Sequence, residues 1–519
     1  MRVTAIGHAG LKVETGRASV LVDPWFSPEG AFQASWFQYP SNEHLLDADG
    51  LERPTAVVIS HEHLDHIDPW FLARLPDDVP VAVPQYPSPV LLRKLEAAGR
   101  RNVTSVPQWE PFEIADGLTV FFVSEESPIN HDSAIVIQAD GRSLLNLNDA
   151  RLSPIQLREM RAKVGGTVDV FTFQGAGASW YPMVYEYEPE KSDRLSGQKR
   201  AAKFGYTKRT MEIVEPVIGL PFAGPPAFLD PELFHLNREM DRGIFPDQRQ
   251  VADWLAERGL TNTEVLLPGD AWDADARRVD PDPHWAGFDL TRDREAHLAE
   301  YAARRRGDVQ AVIDRHAEPA ESLWEPFRDY FERLLGMSDY FNRRIGMRVG
   351  FDVTGPGGGA WAVDFREGSR GVYPEMGEVG YRYRFAGRWL PPILAGTVPW
   401  EDFMLSCRFE AWRSPDLYND HLLGLLKFAD ADSLQAVEAF ETSPLAQEYI
   451  TVHAEGRSYR IERYCPHAGN DLLETGEVLP GRILRCLAHH YEFDLETGDC
   501  VNGTCPALET EPAEESVRD

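Results

Sequence analysis

One nine-residue stretch limits this chain more than any other: Ser60-His61-Glu62-His63-Leu64-Asp65-His66-Ile67-Asp68. Three histidines and an aspartate fall within six positions, directly after the apolar run Thr55-Ala56-Val57-Val58-Ile59. A buried strand ending in such a cluster throws several donors to one side of a sheet edge. Imidazole nitrogens with a carboxylate suit zinc or iron rather than calcium or magnesium. A solvated polar loop also uses Asp, Glu and His, but rarely three His so close together. The fold must therefore carry a strand end to a metal centre.

At 519 residues the chain has room for two to four domains, each with a core of its own. The formal charge of −31 argues against a nucleic-acid partner, whose affinity rests on neutralising phosphates, and against an anionic membrane surface. The segment Met1-Arg2-Val3-Thr4-Ala5-Ile6 enters a strand pattern without a basic-then-apolar leader, and no later apolar run is long enough to span a bilayer. A cytoplasmic location is expected. Five cysteines are few and odd in number, unlike a secreted disulfide scaffold.

Short strands are expected at Val3–Ile6, Leu11–Glu14 and Ser19–Val22, then at Thr55–Ser60 and Val79–Val83. Ser88-Pro89 opens a helix that stops at Gly99. Hairpins turn at Asp116-Gly117 and Asp140-Gly141, and strands resume at Val168–Phe173, Val217–Leu220 and Val265–Leu267. Strands interleaved with helices indicate a layered α/β domain over residues 1–285. Two polar groups join the first cluster: His131 just before the strand Ser133–Gln138, and Asp149 after the strand Ser143–Leu147.

His61-x-His63-x-Asp65-His66, then His131, then Asp149 resembles the metal motif series of the metallo-β-lactamase superfamily. Ile6-Gly7-His8-Ala9-Gly10 and Val20-Leu21-Val22-Asp23-Pro24-Trp25 resemble its branch with a His near the N-terminus. The resemblance implies an αββα sandwich in which His61, His63 and His131 hold one metal. Asp65 and His66 would hold a second, with Asp149 bridging. The closing His of that pattern is missing around Leu220-Pro221-Phe222-Ala223-Gly224-Pro225-Pro226, which leaves the second site one ligand short and makes a single metal plausible.

Lys191 to Arg209 holds four of the chain's eight lysines against one acid, Asp193. It is a candidate anchor for an anionic small molecule, or else a solvated helix face. Lys199 and Arg200, with the nearby Trp180 and Tyr181, are the candidate substrate-binding residues. Gly175-Ala176-Gly177-Ala178-Ser179-Trp180 starts like a dinucleotide loop, but Trp180 stands where the third Gly is needed.

Residues 286–440 read as an α+β module with no chemical motif. Arg292 to Asp314 is a charged helix, Glu321 to Met337 has a helical apolar face, and Met347–Val353, Trp361–Phe365 and Phe403–Phe409 are strands. Tyr418 to Phe428 is helical. The module weakly resembles sterol-carrier-like folds. Asp273 to Asp289 reads as a connection.

The second strong signal is Cys465-Pro466-His467, followed after 18 residues by Cys486-Leu487-Ala488-His489. A zinc site usually places its Cys together and its His together. The C-x-H and C-x-x-H pairs resemble instead the Rieske [2Fe–2S] pattern, which implies Cys465 and Cys486 on one iron and His467 and His489 on the other. An all-β Rieske domain is expected over 441–510, and a disordered acidic tail over 511–519.

A zinc hydrolase has no need of electrons, whereas a Rieske cluster passes them singly. The two signals together point to iron at the first site and to oxygen activation. Their combination resembles one family, the sugar-nucleotide N-acetyl hydroxylases that act on CMP-N-acetylneuraminate or UDP-N-acetylmuramate. Ala34-Ser35-Trp36-Phe37, Trp180-Tyr181-Pro182-Met183-Val184-Tyr185 and Gly197-Gln198-Lys199-Arg200 add to it. The resemblance implies a monooxygenase that converts an N-acetyl methyl to N-glycolyl. It would use O₂, one or two non-haem irons and the cluster, with His61, His63, Asp65, His66, His131 and Asp149 as the catalytic ligand pool. No flavin or NAD(P) motif is present, so an external reductase or ferredoxin would supply electrons. A same-chemistry oxygenase of a secondary metabolite, and a zinc hydrolase with a redox-sensing Rieske domain, are the alternatives; an oligomer fits any of them.

Overall fold

The computed structural model describes residues 1–47, 51–125, 132–176, 179–238, 243–442, 448–467, 471–487, 490–503 and 505–513. Among the described residues, the strands of the first unit are β1 (Arg2–Gly7), β2 (Gly10–Glu14), β3 (Ser19–Val22), β4 (Ala56–Val58), β5 (Val81–Pro84), β6 (Val103–Val106), β7 (Phe112–Ala115), β8 (Leu118–Ser124), β9 (Ser133–Ala139), β10 (Arg142–Asn146), β11 (Val170–Gln174), β12 (Ile218–Phe222), β13 (Ala271–Asp273) and β14 (Arg278–Asp280). They form two sheets, ordered β14-β13-β1-β2-β3-β4-β5-β6 and β12-β11-β10-β9-β8-β7. Alternate residues face opposite sides of a strand, and here both sides are apolar. Val20, Val22, Ala56 and Val58 of one sheet meet Val120, Phe122, Ile135 and Ile137 of the other between the layers. Leu21, Val57 and Ile59 instead pack outward on Phe71, Leu91 and Leu95, which lie in or beside the helices Pro69–Leu72 and Val90–Ala97. Phe121, Leu145 and Phe171 pack on Leu157, Met160 and Met211 of the helices Pro154–Lys163 and Pro189–Val214. The αββα metallo-β-lactamase sandwich follows from this double-sided apolar pattern.

Two expectations at its margin change. Val265–Leu267 is not a strand; only a single bridge joins Thr263 to Gly219, and Pro268 next in line has no N–H to continue a ladder. The expected connection from Asp273 instead contributes β13 and β14, a hairpin that pairs with β1 through Val3 and Trp272.

The middle module has a five-stranded sheet: Gly371–Tyr373, Gly359–Asp364, Arg348–Thr354, Tyr381–Ala386 and Glu410–Arg413, in that order. The helix Trp324–Leu335 covers it with Phe327, Phe331 and Leu334. Its core continues into the sandwich's loops, taking in Trp25, Phe32, Trp36 and Phe228. The loop at Val184 to Glu186 also pairs with the sheet's edge through Ala411. Phe403–Phe409, expected as a strand, is instead the end of a helix, Trp400–Leu405, and the turn after it. Glu401 and Asp402 in its first turn suit the positive end of the helix dipole, and Trp400, Phe403 and Met404 form a helical face.

The C-terminal unit holds two three-stranded sheets, Tyr449–Ala454, Arg457–Glu462 and Thr510–Pro512, and Gly476–Leu479, Ile483–Cys486 and Glu492–Asp494. The strand at Thr510 corrects the expected boundary: Glu511 and Pro512 pair with Arg460 and Tyr459, so the sheet runs into the stretch assigned to a disordered tail. The rest of that stretch, 514–519, lies outside the described residues. No helix among the described residues is long and apolar enough to cross a membrane.

Candidate metal centre and cluster-binding loops

β1 and β3 run in the same direction, and β4 is parallel to β3, so their C-terminal ends reach one edge of the sandwich. There β1 turns through Gly7 and His8, both at positive φ, β3 ends at Asp23, and β4 runs into Ser60 to Asp68. The second sheet delivers Asp149 from the turn after β10. Among the described residues, three sets of side chains could each hold a cation: His61 with His63 and Asp132, His61 with His66 and Asp149, and His8 with Asp65 and His66. All but Asp132 are buried.

Within the cluster, His61 Nε2 lies 2.9 Å from His63 Nδ1, and His8 Nε2 lies 2.9 Å from Asp65 Oδ2. Among the described residues His66 Nε2 has no hydrogen-bond partner, yet it sits 3.4 Å from Asp149 Oδ1 and 3.8 Å from Asp65 Oδ2. Its other nitrogen, Nδ1, is 2.9 Å from Asp23 Oδ2. The fully buried Asp23 also accepts from Ser60 N at 2.7 Å and Ser60 Oγ at 2.6 Å, and Ser60 Oγ is 2.8 Å from His61 Nδ1. Asp23 and Ser60 thus hold the outer nitrogens of two histidines and turn the inner ones toward the carboxylates. That second layer is what a metal-ligating histidine requires.

Electrostatics asks for a cation at the same place. Burial works against charge on His66, yet Asp65 and Asp149 outweigh it and push its pKa well above the usual value. Burial would raise Asp65 and Asp149, yet both are held below the ordinary carboxylate range, chiefly by His66. An orphaned buried imidazole nitrogen facing two carboxylates fits a bound metal cation.

The structure brings His61, His63, Asp65, His66 and Asp149 together at this edge. His131 lies outside the described residues. Four contributors went unassigned from sequence: His8, Asp23, Asp132 and Glu401. His8 and Asp23 stand inside the quoted motifs and were legible as polar residues at strand ends. In the loop where the closing His is missing, Ala223 N donates to the His8 carbonyl at 2.9 Å. His8 thus comes to the metal edge from the neighbouring hairpin. Glu401 had no local signal. It reaches in from the middle module, with Oε2 3.3 Å from His63 Nε2 and Oε1 3.0 Å from Lys427 Nζ. Burial works to raise the Glu401 pKa, and Lys427 and then His63 outweigh it, holding it at about 2.

Of the substrate-binding candidates, Lys199 donates to Ser179 Oγ and, at 3.1 Å, to the Tyr181 carbonyl. Tyr181 stacks edge-on with Tyr185 at 5.1 Å beneath the Arg413 guanidinium, and Trp180 is partly buried against the same core. Arg200 points elsewhere, donating to the Gly243 carbonyl at 3.1 Å. Lys203, one helical turn on from Lys199, shares its face and donates to the Ala176 carbonyl. Burial pushes the Lys199 pKa down to about 7 and Lys203 well below its usual value.

In the C-terminal unit Cys465, His467 and Cys486 are buried, with Cys486 Sγ 3.9 Å from Thr475 Oγ1 and the His467 ring 4.4 Å from that of Tyr491. Cys465 and Cys486, the latter closing the strand Ile483–Cys486, share one small core, and with His467 they are donors suited to an iron–sulfur cluster. His489 lies outside the described residues, while His490 takes a left-handed φ of 63°.

Residues 18–204 match the β-lactamase superfamily domain and residues 426–512 the Rieske [2Fe-2S] domain. A Rieske 2Fe-2S iron-sulfur protein of Mycolicibacterium smegmatis is 31% identical across 96% of this chain and 98% of its own length. One from Mycobacterium tuberculosis is 31% identical over the same shares. Among solved structures, CmlA, a diiron beta-hydroxylase from Streptomyces venezuelae, is similar at 18% identity and a TM-score of 0.35, over 54% of each chain.

Proposed function

Since the chain belongs to the Rieske 2Fe-2S iron-sulfur protein family of those mycobacterial relatives, we propose that it is an iron monooxygenase fed by its own cluster. The observation that carries this reading is the pairing, in one chain, of a buried His and Asp cation site with a domain whose cofactor passes single electrons. Iron held by His61, His63, Asp65, His66 and Asp149, with His131 and His8 as further donors, would supply reduction of O₂ and oxidation of a C–H bond. The balance is substrate, O₂, two electrons and two protons in, hydroxylated substrate and water out. An external reductase or ferredoxin delivers the electrons.

The protein's own groups have definable tasks. Asp23 and Ser60 fix the imidazoles. Glu401 and Lys427 close the His63 side against bulk water. Lys199, with Tyr181, offers an anionic and aromatic-stacking substrate a place to bind, one helical turn from Lys203, on which the charge of Asp149 acts. A sugar nucleotide meets that description, and the N-acetyl methyl of a UDP-N-acetylmuramate-like substrate is the proposed position of attack.

Anaerobically purified protein should show a rhombic EPR signal from the reduced [2Fe–2S] cluster and additional, non-cluster iron. Two zinc ions per chain and no cluster signal would leave a hydrolase and end the oxygenase reading. With iron present, incubation with UDP-N-acetylmuramate, O₂ and reductant should add one oxygen atom to the substrate by mass spectrometry.

A further inference from the structure

One helix, Asp420–Phe428, touches both candidate sites. At its first residue, Asp420 Oδ2 lies 3.7 Å from Nε2 of the cluster-loop residue His467. Near its last, Lys427 Nζ lies 3.0 Å from Glu401 Oε1, and Glu401 Oε2 lies 3.3 Å from His63 Nε2. Seven residues at a rise of about 1.5 Å place these two contacts about 10 Å apart along the axis. The helix is buried almost throughout: His421, Leu422, Gly424, Leu425, Leu426, Lys427 and Phe428 all face protein. Asn419 caps its start by accepting from Leu422 N, and His421 is fixed by Glu441 at 2.9 Å. The loop before it also bridges to the cluster unit, Tyr418 to Gly503.

Asp420 and Glu401 play matching parts at the two ends. Each is a carboxylate set against a nitrogen of a histidine that belongs to a redox site, and each is anchored in the middle module. A module that carries no chemical motif of its own thereby fixes the separation and orientation of the other two.

We propose that electrons pass within a single chain, from the cluster to the metal centre, along this helix, with Asp420 and Glu401 as positioning residues for His467 and His63. The inference rests on the oxygenase reading above and adds the route. In each passage the reduced cluster loses one electron and the metal centre gains it. The external one-electron donor then reduces the cluster again, and two passages supply one hydroxylation.

The test follows the visible absorption and EPR signal of the dithionite-reduced cluster in full-length, metal-loaded protein exposed to O₂ and substrate. His61→Ala supplies a chain with a cluster and a crippled metal centre; Cys465→Ala supplies the reverse. The wild-type cluster should reoxidise quickly and the His61→Ala cluster slowly, and a tenfold excess of Cys465→Ala chains should not restore the rate. Restoration by the mixture would overturn the route while leaving the oxygenase reading intact. A wild-type cluster whose reoxidation ignores removal of the metal would overturn both. Asp420→Asn should shift the cluster's midpoint potential by changing the group that faces His467 Nε2, an effect no remote structural role would produce; an unchanged potential counts against the contact. Lys427→Met should slow reoxidation roughly tenfold or more with cluster EPR and metal content unchanged. A wild-type rate in that variant would remove the helix from the path.

Discussion

Asp23→Asn isolates the support of the metal centre from its ligands. Asp23 is fully buried, and its two oxygens accept from Ser60 N, Ser60 Oγ and His66 Nδ1 at 2.6 to 2.9 Å. Its φ of 42° is a conformation that Asn adopts readily, so the backbone need not move. What changes is the direction of one hydrogen bond. If the amide oxygen keeps the Ser60 N–H, the amide nitrogen must face His66 Nδ1 and donate to it. The proton of His66 then shifts to Nε2, the atom aimed at Asp65 and Asp149, and that atom can no longer bind a cation. Loss of such a supporting carboxylate costs about 10- to 100-fold in metal affinity, equivalent to about 1.4–2.7 kcal/mol. Titrating apo-protein with Fe(II) against a chromophoric chelator measures this directly, and the EPR signal of the cluster reports that the rest of the chain is folded. Affinity within twofold of wild type, in a folded variant, would refute the assignment of Asp23 as the group that sets the His66 tautomer.

Three further outcomes are expected. Asp230→Ala leaves the buried Arg408 guanidinium without its partner at 2.6 Å, which should cost about 3–5 kcal/mol, and Asp230→Ala/Arg408→Met should recover part of the lost thermal stability; a double variant no better than the single one contradicts this. Because the folded-state pKa of Lys199 is depressed to about 7, the unfolded chain holds a proton that the folded one lacks between pH 7 and 10.5, so this group makes stability rise with pH across that window. Binding of UDP, followed by calorimetry, should conversely weaken by up to about tenfold per pH unit above 7, and Lys199→Met should flatten the dependence. Cys465→Ala should abolish the cluster's visible absorption while non-cluster iron stays bound, as measured by metal analysis.

Much of the sandwich was legible because its strands are short, apolar on both faces and punctuated by Asp-Gly turns. The ligand cluster was legible because its members are neighbours in sequence. Where sequence reasoning failed, the signal was short or distant. Phe403-Met404-Leu405 is too brief to separate strand from helix by periodicity, and the acidic first turn at Glu401 and Asp402 decided the matter. Thr510–Pro512 looks like tail because it is polar, yet an edge strand needs only its backbone to pair with Arg457–Glu462. Glu401 could not be found from its surroundings, since its partner His63 sits in another module and only the packed core brings them together.

The intrusion of Glu401 also decides how this protein can be divided. A cut at residue 285 would leave the sandwich with its own ligands but remove the helix Arg294–Arg315, whose Leu298 and Tyr301 share a core with Phe37 and Tyr39. It would also strip away Glu401 and Lys427 and expose the His63 flank of the centre to solvent. Such a fragment would keep the ligand residues but lose their isolation from water. On the oxygenase reading proposed above, a carboxylate from outside the sandwich, and not only the ligands within it, would keep water from competing with oxidation.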